Sequence, residues 1–140
     1  MTTGRILALD LGKRRIGLAL SDELGITAQG LETLERTTIR EDMARLGKLA
    51  QTHGVGLFLL GNPLHMSGDE GRGAARAREF GARLEAATGI PIQLWDERLT
   101  TVQAQRVLRE SGISIEKRAR AVDKLAAIIL LESFLDSRPS

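Results

Sequence analysis

Short apolar runs and turn residues alternate along the first part of the chain. Residues 5–10 (RILALD) and 16–21 (IGLALS) are two such runs, and a turn-like segment of glycine and basic residues lies between them. This pattern predicts two strands of a hairpin, with a weaker third strand around residues 28–35. Together they predict an antiparallel three-stranded meander.

The apolar period then changes from two residues to that of a helix. Thr38 followed by Glu41 is typical of a capping box at a helix N-terminus, and Gly54 ends the predicted helix. Apolar residues recur between them at helical spacing: Ile39, Met43, Leu46 and Ala50.

Strands and helices alternate in the rest of the chain. Residues 55–60 (VGLFLL) are continuously apolar, which predicts a strand buried on both faces. After a glycine-rich loop over residues 61–73, the pattern predicts these elements: a helix at 74–88 that stops at Gly89, a strand at 90–95, a helix from Thr100 or Thr101 to about Gly112, and a helix at 119–136.

The resulting order, βββαβαβαα, predicts one α/β domain over residues 1–140. Strands that alternate with helices require parallel neighbours in the sheet and helices on its faces. A meander joined to two βα units is the layout of a ribonuclease H-like fold. We therefore expect a five-stranded mixed sheet flanked by helices.

Composition narrows the classes of protein that fit. The chain has no cysteine, which excludes disulfides, thiolate zinc sites and a cysteine nucleophile, and which suits a reducing compartment. Its first residues lack the basic start and apolar run of a signal peptide, and no segment approaches the roughly 18 apolar residues of a membrane span. We expect a soluble, cytoplasmic protein.

Charge is informative through its distribution rather than its sum. The formal net charge is only +2, but residues 98–124 hold seven Lys or Arg and three acidic residues. Two more basic groups occur: Lys13, Arg14 and Arg15; and Arg72, Arg76, Arg78 and Arg83. Solvated helix faces explain several of these arginines, whereas phosphate contacts require a site that they surround.

Three acidic residues stand out by their positions. Asp10 closes the first strand, Glu97 directly follows the fifth, and Asp123 lies in the last helical region, on the face of Ala126 and Ala127. Converging carboxylates repel one another, and a divalent cation relieves that cost. Oxygen ligands favour Mg²⁺ or Mn²⁺, and such ions activate water for phosphodiester cleavage and stabilise the leaving oxygen.

Each acid also has an ordinary structural interpretation. Asp10 could be a turn residue, Glu97 could form a surface ion pair with Arg98, and Asp123 could cap a helix that begins at Lys124. Taken singly, these interpretations are stronger than the functional ones. Only the combination of three acids favours a metal site.

Four segments resemble the signatures of the YqgF/RuvX family, which comprises pre-16S rRNA nucleases that are also described as Holliday-junction-resolvase-like. The resemblance extends over residues 6–135. The matching segments are DLGKRRIG from Asp10, GNPLHMSGDEG from Gly61, DERLTT from Asp96 and VDKLAA from Val122. It implies a ribonuclease H-like fold, a role at the 5′ end of precursor 16S rRNA, and catalytic acids at Asp10, Glu97 and Asp123.

The second segment departs from the family pattern, which reads GLPLNMDG. Asn62, His65 and Ser67 replace three of its side chains, although the glycine–proline skeleton is kept. Substrate contacts made by the family's asparagine or aspartate are therefore in doubt here. His65 could be a ligand or a proton donor, although a single loop histidine is more often neither.

The leading hypothesis is a metal-dependent endonuclease, a monomer or a homodimer, that acts on structured nucleic acid. The five basic residues next to the acids in sequence are the expected phosphate contacts: Lys13, Arg14, Arg15, Arg98 and Lys124. With three Phe, one Trp and no Tyr, an aromatic base-stacking platform is poorly supplied, which favours a substrate read by shape.

Three rival hypotheses stay open. A DNA junction resolvase would use the same acids and should act as a dimer. A non-catalytic ribosome-assembly factor would bind RNA without divalent metal. A sugar-kinase or actin-like ATPase also begins with Asp-x-Gly, but it needs a second domain for which 140 residues leave no room.

Overall fold

The computed structural model describes residues 4–62, 72–96 and 115–137. They form five strands and three helices, and the helix predicted from Thr100 or Thr101 to Gly112 lies outside the described residues. The strands are β1 (Arg5–Leu11), β2 (Arg15–Ser21), β3 (Ala28–Glu35), β4 (Val55–Asn62) and β5 (Ile92–Asp96). The helices are α1 (Ile39–His53), α2 (Arg72–Thr88) and α3 (Ile115–Ser137).

The strands form one mixed sheet in the order β3-β2-β1-β4-β5. β1 to β3 pair antiparallel, whereas β4 pairs parallel with both β1 and β5. The predicted meander and the predicted parallel half are therefore confirmed. Among the described helices, none is long and apolar enough to cross a membrane.

Element boundaries differ from the prediction by a few residues. β5 begins at Ile92 instead of residue 90, because Pro91 has no N–H to donate to a ladder. The Pro91 carbonyl still accepts a hydrogen bond from the Phe58 N–H at 3.0 Å. Helix α3 begins four residues earlier than the predicted residue 119, at Ile115.

The two faces of the sheet carry separate apolar layers, and alternate residues of β1 belong to each. Leu7 and Leu9 pack with residues of α1 and α2, whereas Ile6 and Ala8 pack against α3. Successive side chains of a strand point to opposite faces, so β1 holds both layers together. The α3 layer includes Ala127, Leu130, Leu131 and Leu135.

A row of small residues lies beneath α3. Ala8 of β1 pairs with Ala19 of β2, and Ala19 pairs with Gly30 of β3. A Cβ added to Gly30 would lie 2.7 Å from Cγ of Lys124 and 3.0 Å from Cδ1 of Ile128. The helix therefore approaches the sheet closely because these positions have almost no side chain.

The N-terminus of α1 is capped much as the sequence predicts. The Thr38 hydroxyl accepts from the Glu41 N–H at 3.1 Å, and Gly54 ends the helix in the left-handed region with φ of 65°. The Glu41 carboxylate accepts from the Thr37 hydroxyl at 2.7 Å. Thr37 is thereby fixed beside the cap, so the chain enters the helix along a defined path.

One charged residue of α1 is buried in the same region. Asp42 is 1% exposed, and its carboxylate accepts from Arg45 at 2.8 Å and from the Thr37 N–H at 3.1 Å. Arg36 lies 3.6 Å from its second oxygen. A buried carboxylate is tolerated only when it is paired and hydrogen-bonded in this way.

Replacement of this carboxylate should destabilise the fold. We expect Asp42→Asn to lower the free energy of unfolding by about 2–4 kcal/mol, because two arginines lose their charged partner. Urea denaturation measures the change. Glu41→Gln, on the exposed side of the same turn, is the matched control and should cost less than about 1 kcal/mol; equal losses would contradict a specific role of Asp42.

The turn between β2 and β3 has a carboxylate of its own. Asp22 accepts from the N–H groups of Ile26 at 2.7 Å and Thr27 at 3.1 Å. These bonds favour the charged form, so the pKa of Asp22 is lowered, first by Ile26 and then by Thr27.

The turn should therefore weaken in acid. A lowered folded-state pKa gives stability that is present above the ordinary carboxyl pKa and is lost as pH falls through the lowered value. Amide NMR of Ile26 and Thr27 across an acid titration measures the transition. A midpoint at or above that of an ordinary aspartate would contradict the hydrogen-bonded turn.

Candidate active site

The carboxyl ends of β1, β4 and β5 lie at one edge of the sheet, because these three strands are parallel. Asp10 is the penultimate residue of β1, and Asp96, the last residue of β5, pairs with Asn62 at the end of β4. Glu97 is the next residue in sequence. This edge is where ligands bind in open sheets with parallel strands.

Asp10 belongs to the face of the sheet that α3 covers. It follows Ile6 and Ala8 at alternate positions of β1, and both of those residues pack in the α3 layer. Asp10 is half-buried, whereas Ile6 and Ala8 are buried. The apolar layer therefore ends at a carboxylate where the sheet meets solvent.

Glycines occupy the neighbouring strands beside Asp10. Its partner in β2 is Gly17, and Gly61 of β4 directly follows the residue that pairs with Leu9. Neither glycine brings a side chain to this part of the edge. Glycine at such a position is typical of a site where a ligand or another backbone approaches closely.

Asp123 lies well inside α3, eight positions after its first residue, Ile115. The alternative that Asp123 caps a helix starting at Lys124 is therefore wrong, because the helix continues on both sides of it. Asp123 stands one turn before Ala126 and Ala127, which are both fully buried against the sheet. Helical spacing therefore puts position 123 on the same side of α3 as these two alanines, and α3 covers the sheet face on which Asp10 lies.

Convergence of the three acids stays a prediction. Glu97 lies outside the described residues, as do Arg98 and His65, and the side chain of Asp123 is also not among them. No cluster of three or more potential metal ligands occurs among the side chains that the structure describes, and of the three acids these include only Asp10.

The predicted phosphate contacts fall into two groups. Lys13 and Arg14 are exposed in the turn between β1 and β2, three and four residues beyond Asp10, and Arg15 is half-buried at the start of β2. Lys124 is exposed on α3 and its stem crosses Gly30 of β3, two strands away from β1. The first group therefore adjoins Asp10 at the carboxyl edge.

Sequence reasoning missed Arg36, which lies close to the same edge. Its guanidinium donates to the Gly12 carbonyl at 2.8 Å and lies 5.4 Å from the centroid of the Phe80 ring. One signal could have pointed to it: Asp42 is a charged residue one position before Met43 on the apolar face of α1. A carboxylate there requires a cationic partner from a neighbouring segment.

The sequence profile of the RuvX family, described as Holliday junction resolvase, matches residues 4–137. The chain belongs to the RuvX family. A relative from Koribacter versatilis is 52% identical over 135 residues, covering 96% of this chain and 88% of that protein. A relative from Symbiobacterium thermophilum is 45% identical over 134 residues, covering 96% and 93%. The names of both describe them provisionally as pre-16S rRNA nucleases.

Solved structures with the same fold are much more distant in sequence. Thermus thermophilus RuvC in complex with a Holliday junction substrate superposes with a TM-score of 0.57 at 12% identity, covering 96% of this chain and 97% of that chain. The Fowlpox virus resolvase with Holliday junction DNA gives 0.57 at 12% identity, covering 95% and 97%. The predicted ribonuclease H-like fold is confirmed, and family membership makes the protein a hydrolytic nuclease.

The close approach of α3 to Gly30 can be tested directly. We expect Gly30→Ala to lower the free energy of unfolding by about 1 kcal/mol or more, because its Cβ would overlap the Lys124 stem and Ile128. Chemical denaturation measures it.

Gly47→Ala is the matched control for the same substitution. Its Cβ would lie 3.7 Å from the Thr88 methyl, an ordinary contact, and Gly47 is inside helix α1. We expect this variant to gain about 0.5–1 kcal/mol. A stable Gly30→Ala variant would mean that α3 does not pack as closely as the structure has it.

Proposed function

We propose that this nuclease is a divalent-metal-dependent endonuclease that processes the 5′ end of precursor 16S rRNA. The observation that carries the proposal is the placement of Asp10: a half-buried carboxylate at the carboxyl edge, on the α3 face, with glycines in both neighbouring strands. The names of the two relatives at 45–52% identity support the rRNA substrate.

Asp10, Glu97 and Asp123 are the proposed metal ligands. The donor set fits a hard cation, because all three are carboxylates and the chain offers no thiolate. Mg²⁺ or Mn²⁺ bound there would lower the pKa of an attacking water and stabilise the leaving oxygen. Asp10, fixed by its strand, orients the site relative to the sheet edge, and the side chain of a strand residue holds its position well.

Basic residues that neighbour the acids in sequence hold the substrate backbone in this proposal. Lys13 and Arg14 are exposed beside Asp10, and Arg15, Arg98 and Lys124 complete the set. Contacts of this kind fix the register of a strand without reading its bases. A cytoplasmic location agrees with this substrate and with a chain that has no cysteine.

A DNA junction resolvase is the second candidate. It is favoured by the description of the matching family and by the two junction-bound structures that share the fold. Junction cleavage requires two sites facing paired strands, so a resolvase should be a dimer at working concentration. Light scattering measures the mass, and a strict monomer would argue against this candidate.

Cleavage assays test the proposal. The substrates are precursor 16S rRNA with its 5′ leader, a matched DNA duplex and a four-way junction, each with Mg²⁺, Mn²⁺ or EDTA. We expect metal-dependent cutting of the rRNA and a loss of at least about 100-fold in Asp10→Asn, since a metal ligand supports several kcal/mol of transition-state stabilisation. Glu97→Gln and Asp123→Asn should show similar losses.

Asp22→Asn is the matched control, because Asp22 lies in the turn at the opposite edge of the sheet and should leave cleavage unchanged. Preferred cutting of the junction would select the resolvase. Metal-independent binding of the rRNA with no cutting by the wild-type protein would select the non-catalytic assembly factor and end the endonuclease proposal.

A further inference from the structure

A cavity of about 420 Å³ opens beside the same sheet edge, on the face opposite Asp10. Leu11, the residue after Asp10, lines it and packs with the α1–α2 layer. Successive strand residues point to opposite faces, so the acid and the cavity are one residue apart on β1. A strand that crosses this edge could therefore contact both.

The wall of the cavity is apolar and its rim is basic. Leu11, Ile39, Ala77 and Phe80 form the wall. The rim carries three basic residues and one acid, Lys13, Arg76, Arg83 and Glu79, and a fourth basic residue, Arg36, lies deeper.

Two of these cations keep their charge available for a ligand. Glu79 lies 3.6 Å from Arg83, so these two side chains pair with each other. Among the described residues, no acidic side chain pairs with Lys13 or Arg76. A neighbouring recess shares Lys13, Arg36 and Arg76 with the cavity. The combined surface therefore attracts an anionic ligand that also has an apolar or aromatic part.

Arg36 gives this cavity a fixed floor. Gly12, Asp42 and Phe80 contact its guanidinium from three directions, and the side chain is 23% exposed. A guanidinium plane is one of the surfaces on which unpaired bases stack. The chain is poor in aromatic residues, but an arginine plane with an aliphatic wall can take the place of an aromatic platform.

We propose that this cavity binds one unpaired nucleotide of the substrate strand. In this proposal the base lies between Ile39 of the wall and the Arg36 guanidinium, and Lys13 and Arg76 hold its phosphates. The volume falls in the usual range of small-ligand sites, about 300–1,000 Å³. A base inside a duplex could enter only by leaving its stack, at a cost of a few kcal/mol.

This inference rests on the proposed function only in taking nucleic acid as the substrate. It adds a substrate class: RNA in which a single-stranded segment adjoins a paired one near the cut. The sequence alone favours a substrate read by shape, and the cavity adds the requirement for one unpaired base. A fully paired duplex or junction arm would leave the cavity unfilled.

Binding in EDTA tests the proposal separately from cleavage. Two RNA hairpins share one stem and one compact, stacked tetraloop and differ only at the open end: one is blunt, and one has a single-stranded 5′ extension that carries 2-aminopurine. We expect the extension to tighten binding by tenfold or more, since stacking of one base is worth about 1–3 kcal/mol. The 2-aminopurine fluorescence should change on binding to the wild-type protein.

Two variants test the apolar wall and the basic rim of the cavity separately. Ile39→Ser changes no charge, and it should abolish the fluorescence change and weaken binding of the extended hairpin about five- to tenfold. Arg76→Ala should reduce the slope of log affinity against log salt by about 0.7 for the extended hairpin, the value for one phosphate contact on a single strand. Neither variant should alter binding of the blunt hairpin.

Arg78→Ala is the matched control, because Arg78 is exposed on the same helix and does not line the cavity. It should leave the fluorescence change and the salt slope as in the wild type. Thermal unfolding of each variant checks the fold, and Arg76→Ala keeps the test valid if Ile39→Ser does not fold.

Equal affinity for both hairpins, or equal effects of Arg76→Ala and Arg78→Ala, would overturn the proposal. Such a result together with metal-dependent cleavage that Asp10→Asn abolishes would leave the endonuclease in place without this cavity. The reverse result, binding as expected with no cleavage, would leave a nucleotide site on a protein that does not cut.

Discussion

Strand β1 is the constraint on which the remaining structure depends. It is paired on both edges, by β2 and β4, and covered on both faces, by α3 and by α1 with α2. Residues 6–9 of β1 are therefore buried, and at its carboxyl end exposure begins with Asp10 and Leu11. Their side chains point to opposite faces of the sheet, Asp10 to the face that α3 covers and Leu11 to the basic, apolar cavity.

Much of this arrangement was predictable because it depends on local patterns. The alternating runs of β1 and β2 and the continuous apolar run of β4 define the sheet, and Thr38 and Gly54 bound α1 as expected. The approach of α3 was not predictable, because it depends on Ala8, Ala19 and Gly30 coming into one row through strand pairing. Single small residues in three separate strands carry no local signal.

The site shows the same division between local and long-range information. Asp10, Glu97 and Asp123 were selected from their positions in the predicted strands and helices, and the family resemblance selected the same three residues. The cavity could not be identified, because Lys13, Arg36 and Arg76 come from three segments that only the tertiary fold brings together. The ion pair between the buried Asp42 and Arg36 shows the same limit, because only the folded chain brings these two side chains together.

The three contacts that fix Arg36 have a consequence for the energetics of recognition. A side chain that is immobilised on binding loses roughly 0.5–1.5 kcal/mol of conformational entropy. Arg36 has already lost this freedom in the folded protein, through Gly12, Asp42 and Phe80. Folding itself therefore preorganises the floor, while the exposed Lys13 and Arg76 must still be ordered by each ligand. Because the charge of Arg36 is already paired with Asp42, its contact with a ligand would depend little on ionic strength. The exposed Lys13 and Arg76 would instead set the rate at which an anionic ligand binds.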